Sequence, residues 1–348
     1  MRARSTWQRF SFSTKAAIDQ ALYSSGMPEE TLALYSRWWQ LETYLRSLIY
    51  VELRALHGID WVNHIGQSAT TRQQRDESLQ YMATADWEDP LSYLDVGKLF
   101  PLLEANWSLV EPTLMNKEVL MSRTSELLAI RHRLGHLRRP HSDDLNRLEQ
   151  TLRDLEKGAF TAYASYNRDF YPDSNLADPV VAAWVRGEHS TAQRLIQHAD
   201  RQYDVVFRLS YTVRPYAAAP ASGDPISGST GLLWKATFHL RDREPRPSAL
   251  WRDSYLNRNA RQLLVHMLLD SGWVAFTFPA VDDSNRVADA IGEAFDAVLL
   301  NLRSRREKSE RELLESPMRS IHLDPRIEMN SGWNIVDDTT VPISIFGA

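Results

Sequence analysis

The sequence predicts a mainly α protein with an α+β second domain: a helical bundle over residues 1–167, then a small sheet packed with helices over residues 168–348. Three observations lead there. The 348 residues exceed what a single core usually organises. From Pro28 to Gly158 apolar residues recur at spacings of three and four, the period of a half-buried helix. After Asn167 the chain turns to aromatic and β-branched runs with partial alternation, the period of a strand.

Met1 to Lys15 has Arg, Ser and Thr with no acid before Asp19, and reads as a short arm before the first helix. Leu34, Trp38, Leu41, Leu45 and Leu48 mark a long amphipathic helix, entered at Pro28 and closed by Gly58. A second helix is expected from about Thr70 to Met82, and a turn region from Asp86 to Tyr93. Val96, Leu99, Leu102, Leu103 and Trp107 predict a helix from Asp95 to Val110, stopped by Pro112. The next helix spans Lys117 to Leu134, with Gly135 as its cap and Pro140 as its stop. Ser142 or Asp143 caps a last helix that runs through Leu145, Leu148, Leu152 and Leu155 to Gly158.

In the second half, Tyr203 to Val213 and Gly231 to Leu240 read as strands, separated by the Ala, Pro, Gly and Ser loop Pro215 to Thr230. Ser248 to Ser271 reads as a helix, Trp273 to Phe278 as a strand and Ser284 to Leu314 as a long helix. The alternating charges of Arg303 to Glu312 suit a solvated helix end. An irregular tail follows Pro317.

Composition narrows the chemistry. With 43% hydrophobic and 24% charged residues, the chain has the make-up of a soluble globular protein. A formal charge of −5 supplies no global field for nucleic acid, so any RNA contact requires a local basic patch. The absence of Cys excludes disulfides, thiolate nucleophiles and cysteine-based zinc sites, and fits a reducing, cytoplasmic setting. No apolar run approaches the ~20 residues of a membrane span, so no membrane partner is expected. Neither a phosphate loop nor a dinucleotide glycine pattern occurs, and no cofactor is expected.

The basic patch is Arg131-His132-Arg133-Leu134-Gly135-His136-Leu137-Arg138-Arg139. Arg131 is a candidate phosphate ligand, because a guanidinium presents a fork of donors, and His136 a candidate acid/base near neutral pH. Arg133, Arg138 and Arg139 are candidate RNA contacts. Arg131 shares helical spacing with Leu120, Leu127 and Leu134, which makes it a break in an apolar face, paired in the core or aimed at an interface or cleft. Spacing alone is weak: Arg261 and His266 repeat it within an apolar run that reads as helix. His132, His136 and His141 offer an alternative, a metal cluster, but four Arg in the same segment disfavour a divalent cation and no metal is expected. Asp282 and Asp283 follow a strand where ligands often sit, yet their plainer role is to cap the helix at Ser284.

Upstream, Glu42 and Arg46 stand one turn apart on the first long helix, the spacing of an ordinary ion pair. This order of elements, an early Glu-x3-Arg helix followed by a helix ending in Arg-x4-His, resembles the HEPN superfamily. The resemblance covers Pro28 to Phe160, including Trp38 to Gly58 with Trp61, Tyr93-Leu94-Asp95, Leu99-Phe100, Trp107 and Ile130 to His136, and is nearest to the bacterial defence and abortive-infection branches. His132 departs from it, since the family usually has Asn there. The resemblance implies a HEPN-like bundle and a metal-independent endoribonuclease, a toxin or antiviral effector, whose site is composed across a homodimer. It implies Arg131 and His136 as catalytic, His132, Glu42 and Arg46 as supporting, RNA as substrate and an antitoxin or phage-derived trigger as a partner. The alternative is a non-catalytic interaction protein that uses the same basic patch. The second half resembles no family, and a sensing, regulatory or dimerising role is expected of it.

Overall fold

The computed structural model describes residues 11–24, 29–79, 90–193, 201, 205–251, 253–256, 259–269, 272–304 and 327–329. Its first half is helical: α1 (Phe12–Ser24), α2 (Glu29–His57), α3 (Gln67–Glu77), α4 (Val96–Ala105), α5 (Trp107–Val110), α6 (Lys117–Gly135) and α7 (Asp144–Asn167), with 3-10 turns at Gly58–His64, Pro90–Tyr93 and Glu111–Thr113. After α8 (Pro179–Trp184) come β1 (Val205–Val213), β2 (Leu232–Leu240), β3 (Arg243–Pro245), α9 (Pro247–Trp251), α10 (Asn259–Leu263), β4 (His266–Leu269), β5 (Trp273–Pro279), α11 (Ser284–Leu300), β6 (Leu302–Ser304) and β7 (Ile327–Met329).

The predicted stripe of α2 is the centre of the first core. Leu34, Trp38, Leu41, Leu45, Leu48 and Ile49 are buried against Leu99, Phe100 and Leu103 of α4, Leu120, Leu127 and Ile130 of α6, and Leu148, Leu152 and Leu155 of α7. The second core lies on one face of the sheet. Four antiparallel strands run in the order β1-β2-β5-β4, and β7 adds in parallel to β4. Val287, Ile291, Phe295 and Val298 of α11 recur at helical spacing and bury against Phe238, Phe276 and their neighbours. Phe295 meets Phe238 edge-on, with ring centroids 5.0 Å apart.

Helix α2 also meets the sheet, on the face away from the second core, where Ala55 and the half-buried Tyr50 and Val51 pack on Leu233 and Val265. The Tyr50 hydroxyl donates to the Leu264 carbonyl at 3.1 Å and Arg54 Nη2 to the Gln262 carbonyl at 3.0 Å. The Gly231 amide donates to the Ala55 carbonyl at 2.8 Å. Gly58 ends α2 with φ +56°, and a Cβ there would fall on the Asp282 carboxylate, so the turn needs glycine twice over. The neighbouring Ile59 amide donates to Asp282 Oδ1 at 2.8 Å.

Several expected elements differ. The helix expected from Asp95 to Val110 divides at Asn106 into α4 and α5, and α7 runs past Gly158 to Asn167. Phe12 to Lys15, the end of the expected arm, is the start of a helix that runs to Ser24. Ser248 to Ser271 is not one helix: α9 and α10 are short and His266–Leu269 is a buried strand beside β5. The run Leu263 to Leu269 is apolar except for His266, a pattern that a central strand and a buried helix share, and periodicity cannot separate them. The long helix begun at Ser284 stops at Leu300, and Arg303 sits on β6, its Nε donating to Glu244 at 2.6 Å, so the charged run opens as a strand. Within the tail expected to be irregular after Pro317, Ile327–Met329 forms β7 beside β4; the rest of that tail, most of the charged run and the predicted ends at Met82 and Ser271 lie outside the described residues.

Candidate functional site

Asn116 starts α6 as expected of a cap, its Oδ1 accepting from the amides of Glu118 and Val119. The buried face comprises Leu120, Leu127, Ile130 and Leu134. Ile130 rather than Arg131 completes the stripe. Arg131 lies at its edge, half-buried, and its guanidinium lies along the helix over Gly135, where an added Cβ would stand 2.6 Å from Nη1. Among the described residues the Arg131 side chain has no hydrogen bond or ion pair. His132 and His136, one turn apart in the adjoining row, are both exposed and stacked, with centroids 5.4 Å apart and planes 15° from parallel. Arg131 and His136 are thus set on neighbouring rows of one helix end. The helix runs through Gly135 without a break.

Gly135 is not the left-handed cap. The Arg138 amide donates to the Arg133 carbonyl at 2.9 Å and the Leu137 amide to the Leu134 carbonyl at 3.2 Å, the paired bonds of a Schellman ending. The left-handed position is Leu137, with φ 54° and a side chain 89% exposed. Arg138 and Arg139 follow, exposed.

Arg133 is held differently. Its Nε and Nη2 donate to the two carboxylate oxygens of Asp144 at 2.7 and 2.5 Å, and Asp144 also accepts from the His141 amide at 3.0 Å. Burial pushes the Asp144 carboxyl up, but the Arg133 hydrogen bonds, the His141 amide and the charges of both residues outweigh it and hold the group below its ordinary range. This bracket ties the loop after α6 to the start of α7. Asp143 occupies the cap position of α7 without a side-chain cap bond. Beside it, a groove of about 400 Å³ between α6 and α7 is lined by Arg123, Glu126, Asp143, Asn146, Arg147 and Gln150. Its cations are neutralised, Arg123 by Asp154 at 2.6 Å and Arg147 by Glu126.

Glu42 and Arg46 pair at 2.5 Å as their spacing predicts. Glu42 also accepts from the Trp38 indole at 2.7 Å, and Arg46 donates to the Leu94 carbonyl at 3.0 Å. They brace α2 against the segment before α4. Among the described residues no hydrogen bond or ion pair joins them to Arg131 or His136.

The second Arg-x4-His match is divided between elements: Arg261 is on α10, 4.0 Å from the Trp251 ring centroid, and His266 is buried on β4. Asp283 caps α11 through the Arg286 amide at 2.9 Å, whereas Asp282 is the tie to Ile59. Among the described residues no three His, Asp or Glu side chains group as metal ligands. No described helix is long and apolar enough to cross a membrane.

Compared with known proteins, the chain matches no family model, no curated protein and no solved structure. The reading of the site therefore rests on its geometry and on the motif order.

Two features lie outside the expected site. Glu52 and Arg214 form a buried pair between the halves, 162 residues apart in the chain, so that no local spacing signals it. The polar face of the sheet, by contrast, has a signal: Arg208, Ser210 and Thr212 alternate with Phe207, Leu209 and Tyr211, and Lys235, Thr237 and His239 alternate with Trp234, Ala236 and Phe238.

Proposed function

We propose that the helical half is a HEPN-like, metal-independent endoribonuclease acting in the cytoplasm as a toxin or antiviral effector, its site completed by a second copy of the chain. One observation carries this reading. Arg131 has no acidic partner, although Arg133 two residues on is locked to Asp144, and Arg131 borders two exposed, stacked imidazoles.

In the reaction the 2′-oxygen of RNA bonds to the adjacent phosphorus as the bond from phosphorus to the 5′-oxygen breaks. His136 takes or supplies the moving proton, and Arg131 stabilises the charge that builds on the phosphorane oxygens. His132 supports His136 by stacking, and Arg138 and Arg139 hold the RNA backbone. Glu42 and Arg46 keep the bundle in register. Since neighbouring rows separate Arg131 from His136, an isologous pairing that brings in the other subunit's copy completes the set. An antitoxin or a phage-derived trigger would restrain or release the activity.

The test is purified protein with RNA in EDTA. Cleavage leaving 2′,3′-cyclic phosphate, lost by about a hundredfold or more in His136→Ala and in Arg131→Ala, is expected. No cleavage, or cleavage unchanged in these variants, refutes the reading. A second reading has its own observation, the exposed left-handed Leu137 at the tip of the patch, which suits a surface that binds a partner without catalysis.

A further inference from the structure

The second half carries a polar face with no assigned role. In the β1–β2 register Val206 lies opposite His239, Arg208 opposite Thr237 and Ser210 opposite Lys235. Successive residues face opposite sides of a sheet, so Arg208, Ser210, Lys235, Thr237 and His239 share the side away from the Phe238 core. The segment Asp169 to Tyr171 runs alongside, fixed by two 2.9 Å backbone bonds between Phe170 and Tyr211. It contributes Asp169, whose oxygens lie 2.9 and 3.3 Å from Lys235 Nζ, and Tyr171, whose ring centroid is 5.4 Å from the Arg208 guanidinium carbon.

The charges do not balance. Lys235 is buried and matched by Asp169, but Arg208 is exposed and has no carboxylate partner among the described residues. Its Nη1 reaches only the Tyr171 hydroxyl, at 3.4 Å. His239, half-buried, has no hydrogen-bond partner among the described residues. Register places Trp273 of β5 directly opposite it. A fork of donors beside the Tyr171 ring, an imidazole opposite Trp273 in the register and an adjacent buried ammonium are the donor set that an oxyanion requires.

We infer that Arg208 and His239 bind the phosphoryl group of a small ligand on this face of the sheet, independently of the nuclease reading. Arg208 supplies two N–H groups to two oxygens, His239 donates to a third, and Tyr171 and Trp273 flank whatever carries the phosphate. In the free protein burial, and then the charges of Arg208 and Lys235, keep the imidazole pKa low against the opposing pull of Asp169. A bound anion reverses that balance, so binding takes up a proton and tightens as pH falls.

Titration calorimetry of the full chain with inorganic phosphate and with adenosine monophosphate tests the site. Both should bind, the nucleotide more tightly if the aromatic rings contribute, and Arg208→Ala should weaken both by about tenfold or more. Sulfate, whose charge is constant from about pH 5.5 to about pH 8, isolates the histidine: its affinity should fall with rising pH in the wild type and not in His239→Gln. Arg208→Lys, which keeps the charge without the fork, should fall between wild type and Arg208→Ala. Absence of binding to the wild type, or equal affinity in wild type, Arg208→Ala and His239→Gln, overturns the inference.

Discussion

Arg214 and Glu52 meet as a bidentate pair inside the molecule, Nε and Nη2 of the Arg lying 2.9 and 2.5 Å from the two carboxylate oxygens, with side chains 1% and 0% exposed. Glu52 belongs to α2 and Arg214 follows β1, so the pair joins the helical half to the sheet. Arg214 also donates to the Ala162 carbonyl at 3.2 Å on α7. The Tyr44 hydroxyl is raised far above its ordinary pKa by burial and then by the Glu52 charge.

Removing one member of a buried pair leaves the other charged and dry, which costs about 3–5 kcal/mol. Glu52→Gln and Arg214→Met should each lose about that much in urea unfolding, while Glu52→Leu with Arg214→Met should recover most of it. Single losses below about 1 kcal/mol would show that water reaches the pair.

How legible was this architecture? The first core was: the stripe from Leu34 to Leu48 is buried as its spacing requires, and the strands β1, β2 and β5 lie where aromatic and β-branched residues alternate. The lost elements are those where tertiary context decides. The run Leu263 to Leu269 has no period to choose between helix and strand, and becomes β4 because β5 offers a partner. Within the patch, residue type made Arg131, His132 and His136 candidates, but spacing could not tell an Arg131 without an acidic partner from an Arg133 held by Asp144 eleven residues later. That difference depends on how the loop after α6 folds back.

The bracket of Arg133 and Asp144 gives the protein an acid-sensitive joint. The folded pKa of Asp144 lies below its unfolded value, so its contribution is complete above the unfolded value of about 3.9 and is lost as pH falls through the folded pKa. Asp144→Asn should be less stable than wild type near neutral pH and should show a shallower loss on acidification. Denaturation midpoints from about pH 7 to about pH 3 measure this; parallel curves would disprove the linkage.

Leu137 pays for its left-handed backbone with no burial in return. Leu137→Gly removes a steric cost of about 1–2 kcal/mol and adds chain entropy worth about 0.5–1 kcal/mol, so a gain of up to about 1.5 kcal/mol is expected. Cleavage should be unchanged if Arg131 and His136 act as proposed. Loss of partner capture without loss of stability would favour the interaction reading instead.

Asp282 offers the opposite pH behaviour. Burial raises its pKa against the pull of the Ile59 amide, Arg54 and Arg286, and its Oδ2 is buried with no hydrogen bond among the described residues. Its folded pKa exceeds the unfolded one, so its contribution is complete below the unfolded value and lost as pH rises through the folded pKa. Asp282→Asn, which keeps an oxygen for the Ile59 amide, should therefore gain stability relative to wild type as pH rises out of the carboxyl range. Asp282→Ala loses that bond, at about 1 kcal/mol. Gly58→Ala should cost more, since it meets both the positive φ and the Asp282 carboxylate. Adding Asp282→Ala to Gly58→Ala relieves the clash but not the backbone, so the double variant should lose less than the sum of the singles; strict additivity in urea unfolding would remove Asp282 as the reason this turn needs glycine.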